Sequence, residues 1–173
     1  MPSSPPSDAG LDERLRLIVS SYQRLTGKAL IVVCSPRPHL TPCPLPEGEG
    51  VSTGLGDAEL RDALWNAPRA IVAHGTEDDP IFFYGNLLAL QLFEMSVEEF
   101  ARLPSRLSAE PLAQEAREKL LAKVARQGYV DGYSGMRIAK SGRRFMIADT
   151  TVWNLVDENG VHQGQAAVFV AQE

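Results

Sequence analysis

Cysteine is nearly absent: Cys34 and Cys43 are the only two in 173 residues. Two cysteines do not make a disulfide framework in a chain this long, so a reducing cytoplasm is the default compartment. No apolar run approaches the ~18 residues that a membrane-spanning helix needs. The opening Met1-Pro2-Ser3-Ser4-Pro5-Pro6-Ser7 lacks the basic and then apolar pattern of a signal segment. A basic surplus is missing too. Lys and Arg number 17 against 22 Asp and Glu, and the net charge of -5 argues against a nucleic-acid partner held by charge. Neither a phosphate loop nor a nucleophile motif nor a metal signature is present. What remains, 44% hydrophobic and 23% charged residues, is ordinary for one globular domain with a continuous core.

The stretch 70–110 is the most informative. Apolar residues 70–73 are followed by the polar turn His74-Gly75-Thr76-Glu77-Asp78-Asp79-Pro80 and then by Ile81-Phe82-Phe83-Tyr84. Two short strands around an acidic loop are expected. Asn86 is placed to cap a short helix over 87–93. Ser96 and Glu99 have capping-box spacing, with Met95 and Phe100 where a hydrophobic staple closes over the next helix start.

The run Ile-Phe-Phe-Tyr-Gly-Asn-Leu-Leu-Ala-Leu-Gln-Leu-Phe-Glu-Met-Ser-Val-Glu-Glu-Phe resembles the PAS signature, a strand ending in Asn followed by a helix with Ala and Phe facing inward. Flanking text narrows the resemblance. His74-Gly75-Thr76-Glu77-Asp78-Asp79-Pro80-Ile81-Phe82, Leu103-Pro104-Ser105-Arg106-Leu107-Ser108-Ala109-Glu110 and Tyr133-Ser134-Gly135-Met136-Arg137-Ile138 together resemble the MEKHLA domain. That PAS-related family occurs as stand-alone bacterial proteins and at the C-terminus of plant homeodomain–leucine-zipper regulators. The resemblance spans about 11–173, apart from one insert. Two positions depart from it: Gly85 stands where the family usually has Ala, and Phe83 where a polar residue is common.

The rest of the chain fits around that core. Residues 1–7 form a Pro/Ser-rich tail that should be disordered. Asp8 or Asp12 opens a helix whose Leu11, Leu15, Ile18, Tyr22 and Leu25 share a face, and Gly27 suits its C-terminal cap. The resemblance implies that this helix packs on the outer sheet face or on a second subunit; packing on its own domain is the alternative. Residues 30–33 are a short strand or a docking segment. From Cys34 to Gly50, five prolines and two glycines exclude helix and central strand. Pro44-Leu45-Pro46-Glu47-Gly48-Glu49-Gly50 resembles the translation of a palindromic genomic repeat, tolerated because lengthening a surface loop costs little. A metal or redox site on Cys34, His39 and Cys43 matches no zinc spacing and is short of ligands.

Asp57 is placed to cap a second helix over 58–65, with Leu60, Ala63 and Leu64 inward. Residues 101–107 read as irregular. Ser108 then caps the longest helix, with Glu110 and Pro111 in its first turn and Leu112, Ala116, Leu120 and Val124 on its inner face. Arg117, Lys119, Lys123 and Arg126 read as its solvated face. Strands are expected over 129–138, 144–155 and 161–170, with Phe145, Ile147, Thr151, Trp153 and Leu155 on one face and a hairpin at Asp157-Glu158-Asn159-Gly160.

The expected architecture is therefore α+β: a PAS-like five-stranded antiparallel sheet with helices on one face, plus N-terminal helices. The divisions are the 1–7 tail, an 8–68 helical extension carrying the Pro/Gly-rich insert at about 34–56, and a 69–173 core.

The resemblance implies a pocket between the inner sheet face and the helices. Candidate ligand-binding residues are His74, Asp79, Tyr84, Asn86, Arg106, Tyr133, Arg137 and Trp153. The acidic loop with His74, Glu77, Asp78 and Asp79 offers a cation site or an acid–base pair, or simply a turn bonded to its own backbone. Arg106, Arg137 and Arg144 suit anionic groups, or clamp Asp79 or Glu110. Tyr84, Tyr133 and Trp153 line a cavity, or fill the core or a dimer interface. Asn86 bonds backbone at the strand–helix junction.

The cofactor stays unknown. Covalent flavin photochemistry of the light-oxygen-voltage type needs a Cys that 103–121 lacks, and a haem needs a His that 108–127 lacks. A thiol-linked chromophore fails for the same want of Cys, while non-covalent flavin stays open. The function implied is a sensory or interaction domain that binds a small molecule, a protein partner, or both, and signals by changed association. A homodimer is among the partners; nucleic acid and membrane are not. The alternatives are an enzyme using His74 and Asp79, and a purely structural dimerisation module.

Overall fold

Asn86 shows how local sequence sets the frame of this domain. The computed structural model describes residues 5–6, 9–31, 55–109 and 111–172. Within it, the Asn86 side-chain oxygen accepts from Ile71 N at 3.0 Å and Ala89 N at 3.1 Å. Its amide nitrogen donates to the carbonyls of Arg69 at 2.9 Å and Leu64 at 3.2 Å. One buried carboxamide thus ties two helices to a strand.

The elements run α1 (Ala9–Thr26), α2 (Asp57–Trp65), β1 (Ala70–His74), β2 (Phe82–Gly85), α3 (Leu87–Phe93), α4 (Val97–Phe100), a 3-10 turn (Ser105–Ser108), α5 (Pro111–Gln127), β3 (Tyr129–Ile138), β4 (Arg144–Val156) and β5 (His162–Gln172). The strands form one antiparallel sheet of five in the order β2-β1-β5-β4-β3. The fold is the expected α+β arrangement. The insert with Cys34, His39 and Cys43, Asp8, residues 32–33 and most of the N-terminal tail lie outside the described residues.

Apolar residues on the two sheet faces build two cores. On the inner face, Ala70, Val72, Phe82, Phe145, Ile147 and Phe169 meet Ala89, Leu90, Phe93 and Phe100 from α3 and α4. Phe100 stacks on Phe82 with ring centroids 4.6 Å apart. On the outer face, Ile71, Ala73, Tyr84, Trp153, Leu155 and Val168 meet Leu15, Ile18, Val19 and Tyr22 of α1 and Leu60 and Leu64 of α2. Helix α1 therefore packs on its own sheet. The Trp153 indole donates to the Ile18 carbonyl at 3.2 Å, and the Tyr22 ring lies 4.8 Å from it, edge to face.

Several local expectations change. Asp12 lies inside α1 and pairs with Arg61 at 2.9 Å instead of capping the helix. Gly56, not Asp57, is the N-cap of α2, and its N–H donates to Glu59 Oε2 at 3.1 Å. Ser108 belongs to the 3-10 turn, where its hydroxyl donates to the Ser105 carbonyl at 2.7 Å, so Pro111 opens α5. Ile81 forms only an isolated bridge to Pro104, and β2 starts one residue later. Residues 30–31 form no strand, though Ile31 is buried in the outer core.

The face assignment of β4 is the largest correction. The pairing slips between Ala148 and Thr151, with Asp149 at φ 47°. This bulge inserts one residue and reverses the alternation beyond it. Phe145 and Ile147 point into the inner core, while Trp153 and Leu155 point to the outer one. The bulge also turns Thr150, Val152 and Asn154 toward the helices.

Candidate functional site

Beneath α5 the inner core is incomplete. A cavity of about 50 Å³ lies between α5, the 3-10 turn and the inner face of β1, β3, β4 and β5. Its apolar wall comes from Val72, Phe82, Phe93, Leu120, Leu121, Ile147, Val152, Ala167 and Phe169. Its polar wall comes from His74, Ser108, Arg117, Arg137, Thr150 and Gln165.

Secondary structure explains why each polar group points inward. His74 ends β1 on the same face as Ala70 and Val72. Gly164 makes its position possible, because a Cβ there would sit 2.0 Å from the His74 carbonyl oxygen, and the Gly164 φ of 138° suits glycine. Arg137 shares a face of β3 with Tyr133, and its guanidinium carbon lies 5.8 Å from that ring's centroid. Arg117 projects from the middle of α5, three residues before Leu120 and seven before Val124, and so on the buried stripe.

Arg117 and Arg137 are buried, 7% and 8% exposed. Arg117 Nη2 donates to Ser105 Oγ at 2.8 Å, and Arg137 Nη1 donates to the Met136 carbonyl at 2.9 Å. Among the described residues neither has a carboxylate within ion-pair distance. Burial, and next the like charge of Arg137, bring the Arg117 guanidinium down to about 10, so it stays charged at neutral pH. Burial also lowers Arg137, against which Tyr133 supports the charge. Burial lowers the His74 imidazole, whose Nδ1 lies 2.9 Å from the Gly75 carbonyl. The neutral ring therefore carries its proton on Nδ1 and donates it there.

The other polar groups are largely engaged. Gln165 Nε2 donates to the Leu121 carbonyl at 3.2 Å and to Asn154 Oδ1 at 3.1 Å. Asn154 Nδ2 donates to the Val124 carbonyl at 3.0 Å. These bonds hold the C-terminal half of α5 to β4 and β5. The site's spare donors are the two guanidinium groups.

Of the eight candidates from sequence, His74 and Arg137 line this cavity, and Tyr133 flanks Arg137. The others lie elsewhere. Asp79 and Arg106 form an ion pair at 3.0 Å on the surface, the clamp alternative for Arg106. With Asp79 so engaged and His74 bonded to Gly75, the two do not form an acid–base pair. Asn86 serves the strand–helix junction. Tyr84 and Trp153 belong to the outer core, and burial pushes the Tyr84 phenol up.

Sequence reasoning missed Arg117, Thr150 and Gln165. It placed Arg117 with Lys119, Lys123 and Arg126 on a solvated face. The spacing of Arg117 to Leu120, Leu121 and Val124 was the available signal, whereas Ala116, expected inward, is exposed.

Comparison with known proteins places these features in a family. A family model described as the MEKHLA domain matches residues 12–173. The homeobox-leucine zipper protein HOX10 of Oryza sativa subsp. indica is 29% identical over 160 residues, covering 91% of this chain and 18% of that protein. The homeobox-leucine zipper protein ATHB-9 of Arabidopsis thaliana is 26% identical over 110 residues, covering 62% of this chain and 13% of that protein. The chain thus spans less than a fifth of the length of these relatives.

Among solved structures, the PAS domain of a protein from Colwellia psychrerythraea superposes with a TM-score of 0.57 at 20% identity, covering 64% of this chain and 92% of that one. A light-oxygen-voltage domain studied with a flavin analogue superposes with a TM-score of 0.55 at 19% identity, covering 66% and 84%. Covalent flavin photochemistry does not fit the residues present here. The cavity's 50 Å³ is far below the about 300–1,000 Å³ of sites for drug-sized ligands, and 103–121 offers no cysteine. Among the described residues no helix is long and apolar enough to cross a membrane, and no group of three or more His, Cys, Asp or Glu is placed to hold a metal ion.

Proposed function

The chain belongs to the MEKHLA domain family, and we propose that it is a sensory domain that binds a small molecule in the cavity beneath α5 and signals by changed association with a protein partner or a second copy. One observation carries this reading: two buried guanidinium groups line the same cavity, and among the described residues neither has a carboxylate within ion-pair distance. A charge buried unpaired is costly, and a packed structural module would not retain two of them side by side.

The route from ligand to response is short. Helix α5 forms one wall of the cavity, and β3, β4 and β5 form the opposite wall. An occupant that contacts both favours one placement of α5 over the sheet. The partner reads that placement.

Native mass spectrometry of the purified protein, with an absorbance spectrum of the same sample, tests the proposal. The expected result is a retained small mass that is lost in Leu121→Trp, which fills the cavity. A protein that is free of ligand, monomeric and without a partner contradicts it.

A further inference from the structure

The chemistry of the cavity narrows the class of ligand, resting on the sensory reading above. Its basic groups are Arg117, Arg137 and His74, and they disfavour one another's charge: Arg137 opposes that of Arg117, and Arg117 opposes that of His74. The acidic groups that act on Arg117 are Glu118 and Asp79, both on the exposed surface, and Asp79 is already paired with Arg106. The space therefore carries positive charge, and among the described residues no carboxylate lines it.

Size is the second limit. A water occupies about 10–15 Å³ on this scale, so 50 Å³ takes roughly three to five non-hydrogen atoms. Wall chemistry is the third. The guanidinium groups offer paired donors that suit a carboxylate, whereas Val72, Leu121, Val152 and Phe169 offer only carbon. A fully hydrated oxyanion such as phosphate would leave oxygens against that apolar side, at the cost of unmade hydrogen bonds.

We propose that the cavity takes a small monocarboxylate, its carboxylate between Arg117 and Arg137 and its short tail against Val72, Leu121, Val152 and Phe169. The anion supplies a counter-charge to the two guanidinium groups. It also bridges α5 to β3, so that binding fixes one helix on one strand.

Isothermal titration calorimetry in a buffer free of carboxylate tests this with propionate as probe, and with propionamide and inorganic phosphate as comparisons. Propionate should bind at one site. Arg137→Gln and Arg117→Lys should each weaken it by about tenfold or more, since each removes a charge or a donor fork. Leu121→Trp, which leaves every charge in place, should abolish it. Circular dichroism checks that each variant folds, and Leu121→Trp keeps the test decisive if an arginine variant does not.

Propionamide binding as tightly as propionate would overturn the carboxylate class and leave the small-molecule reading standing. Phosphate binding more tightly than propionate would do the same. No binding of any probe, together with a native mass free of ligand, would overturn both.

Discussion

Arg117 Nη2 donates to Ser105 Oγ at 2.8 Å, which joins the buried side of α5 to the 3-10 turn that precedes it. Ser105 is itself buried, and its N–H donates to the Pro80 carbonyl at 2.7 Å. A buried charge is thus held in place by a neutral hydroxyl, and among the described residues no carboxylate lies within ion-pair distance of it.

That arrangement predicts a conflict between stability and binding. Arg117→Met keeps most of the volume and removes an unpaired buried charge, so it should stabilise the domain by about 1–2 kcal/mol. Urea unfolding measures the change. A loss of stability of that size would mean that Arg117 is a structural clamp.

Asn86→Asp tests the junction. A carboxylate cannot donate to the carbonyls of Leu64 and Arg69, and its oxygen would be buried facing theirs. The expected loss is roughly 2–4 kcal/mol by urea unfolding. A change below about 0.5 kcal/mol would contradict the role assigned to this side chain.

Gly85→Ala tests a close approach. A Cβ at Gly85 would lie 2.7 Å from Cε1 and 2.9 Å from Cδ1 of Phe100. Phe100 is already held by Phe82 and by Phe93, whose ring centroid lies 5.5 Å away. Although the family usually carries alanine here, the substitution should cost about 1–3 kcal/mol in this chain. Unchanged thermal stability would show that the Phe100 ring retreats freely.

His74 predicts a pH dependence. Burial lowers its folded-state pKa below the ordinary 6.5; the Gly75 carbonyl and Glu77 oppose this, while Arg117 and His162 reinforce it. Between the lowered value and 6.5 the unfolded chain binds the extra proton, so stability falls as pH drops through that window. Above 6.5 the contribution is complete. Unfolding free energies between about pH 7 and 5 should show a decline that His74→Asn flattens. Parallel profiles for the two proteins would contradict the assignment.

What was legible in sequence was local. Asn86 caps α3, and Ser96 and Glu99 form the reciprocal box at α4, because these bonds join residues three apart. The five-stranded antiparallel sheet followed from the resemblance. The reversal of β4 was not legible, because period-two alternation carries no mark of a bulge and Asp149 is an unremarkable residue in the text. The cavity was half legible. His74 and Arg137 stood out by type, but Arg117 was hidden among helix cations that really are solvated, and only the packing of α5 on the sheet separates it from them.

The central claim is that the space beneath α5 receives a small molecule. Methyl-resolved nuclear magnetic resonance on protein labelled at Ile, Leu and Val, titrated with propionate, measures this most directly. The account predicts shifts concentrated at Val72, Leu120, Leu121, Ile147 and Val152, with the outer-core methyls of Leu15, Ile18 and Leu60 unmoved. Shifts confined to surface or outer-core methyls, or none at saturating probe, would contradict it.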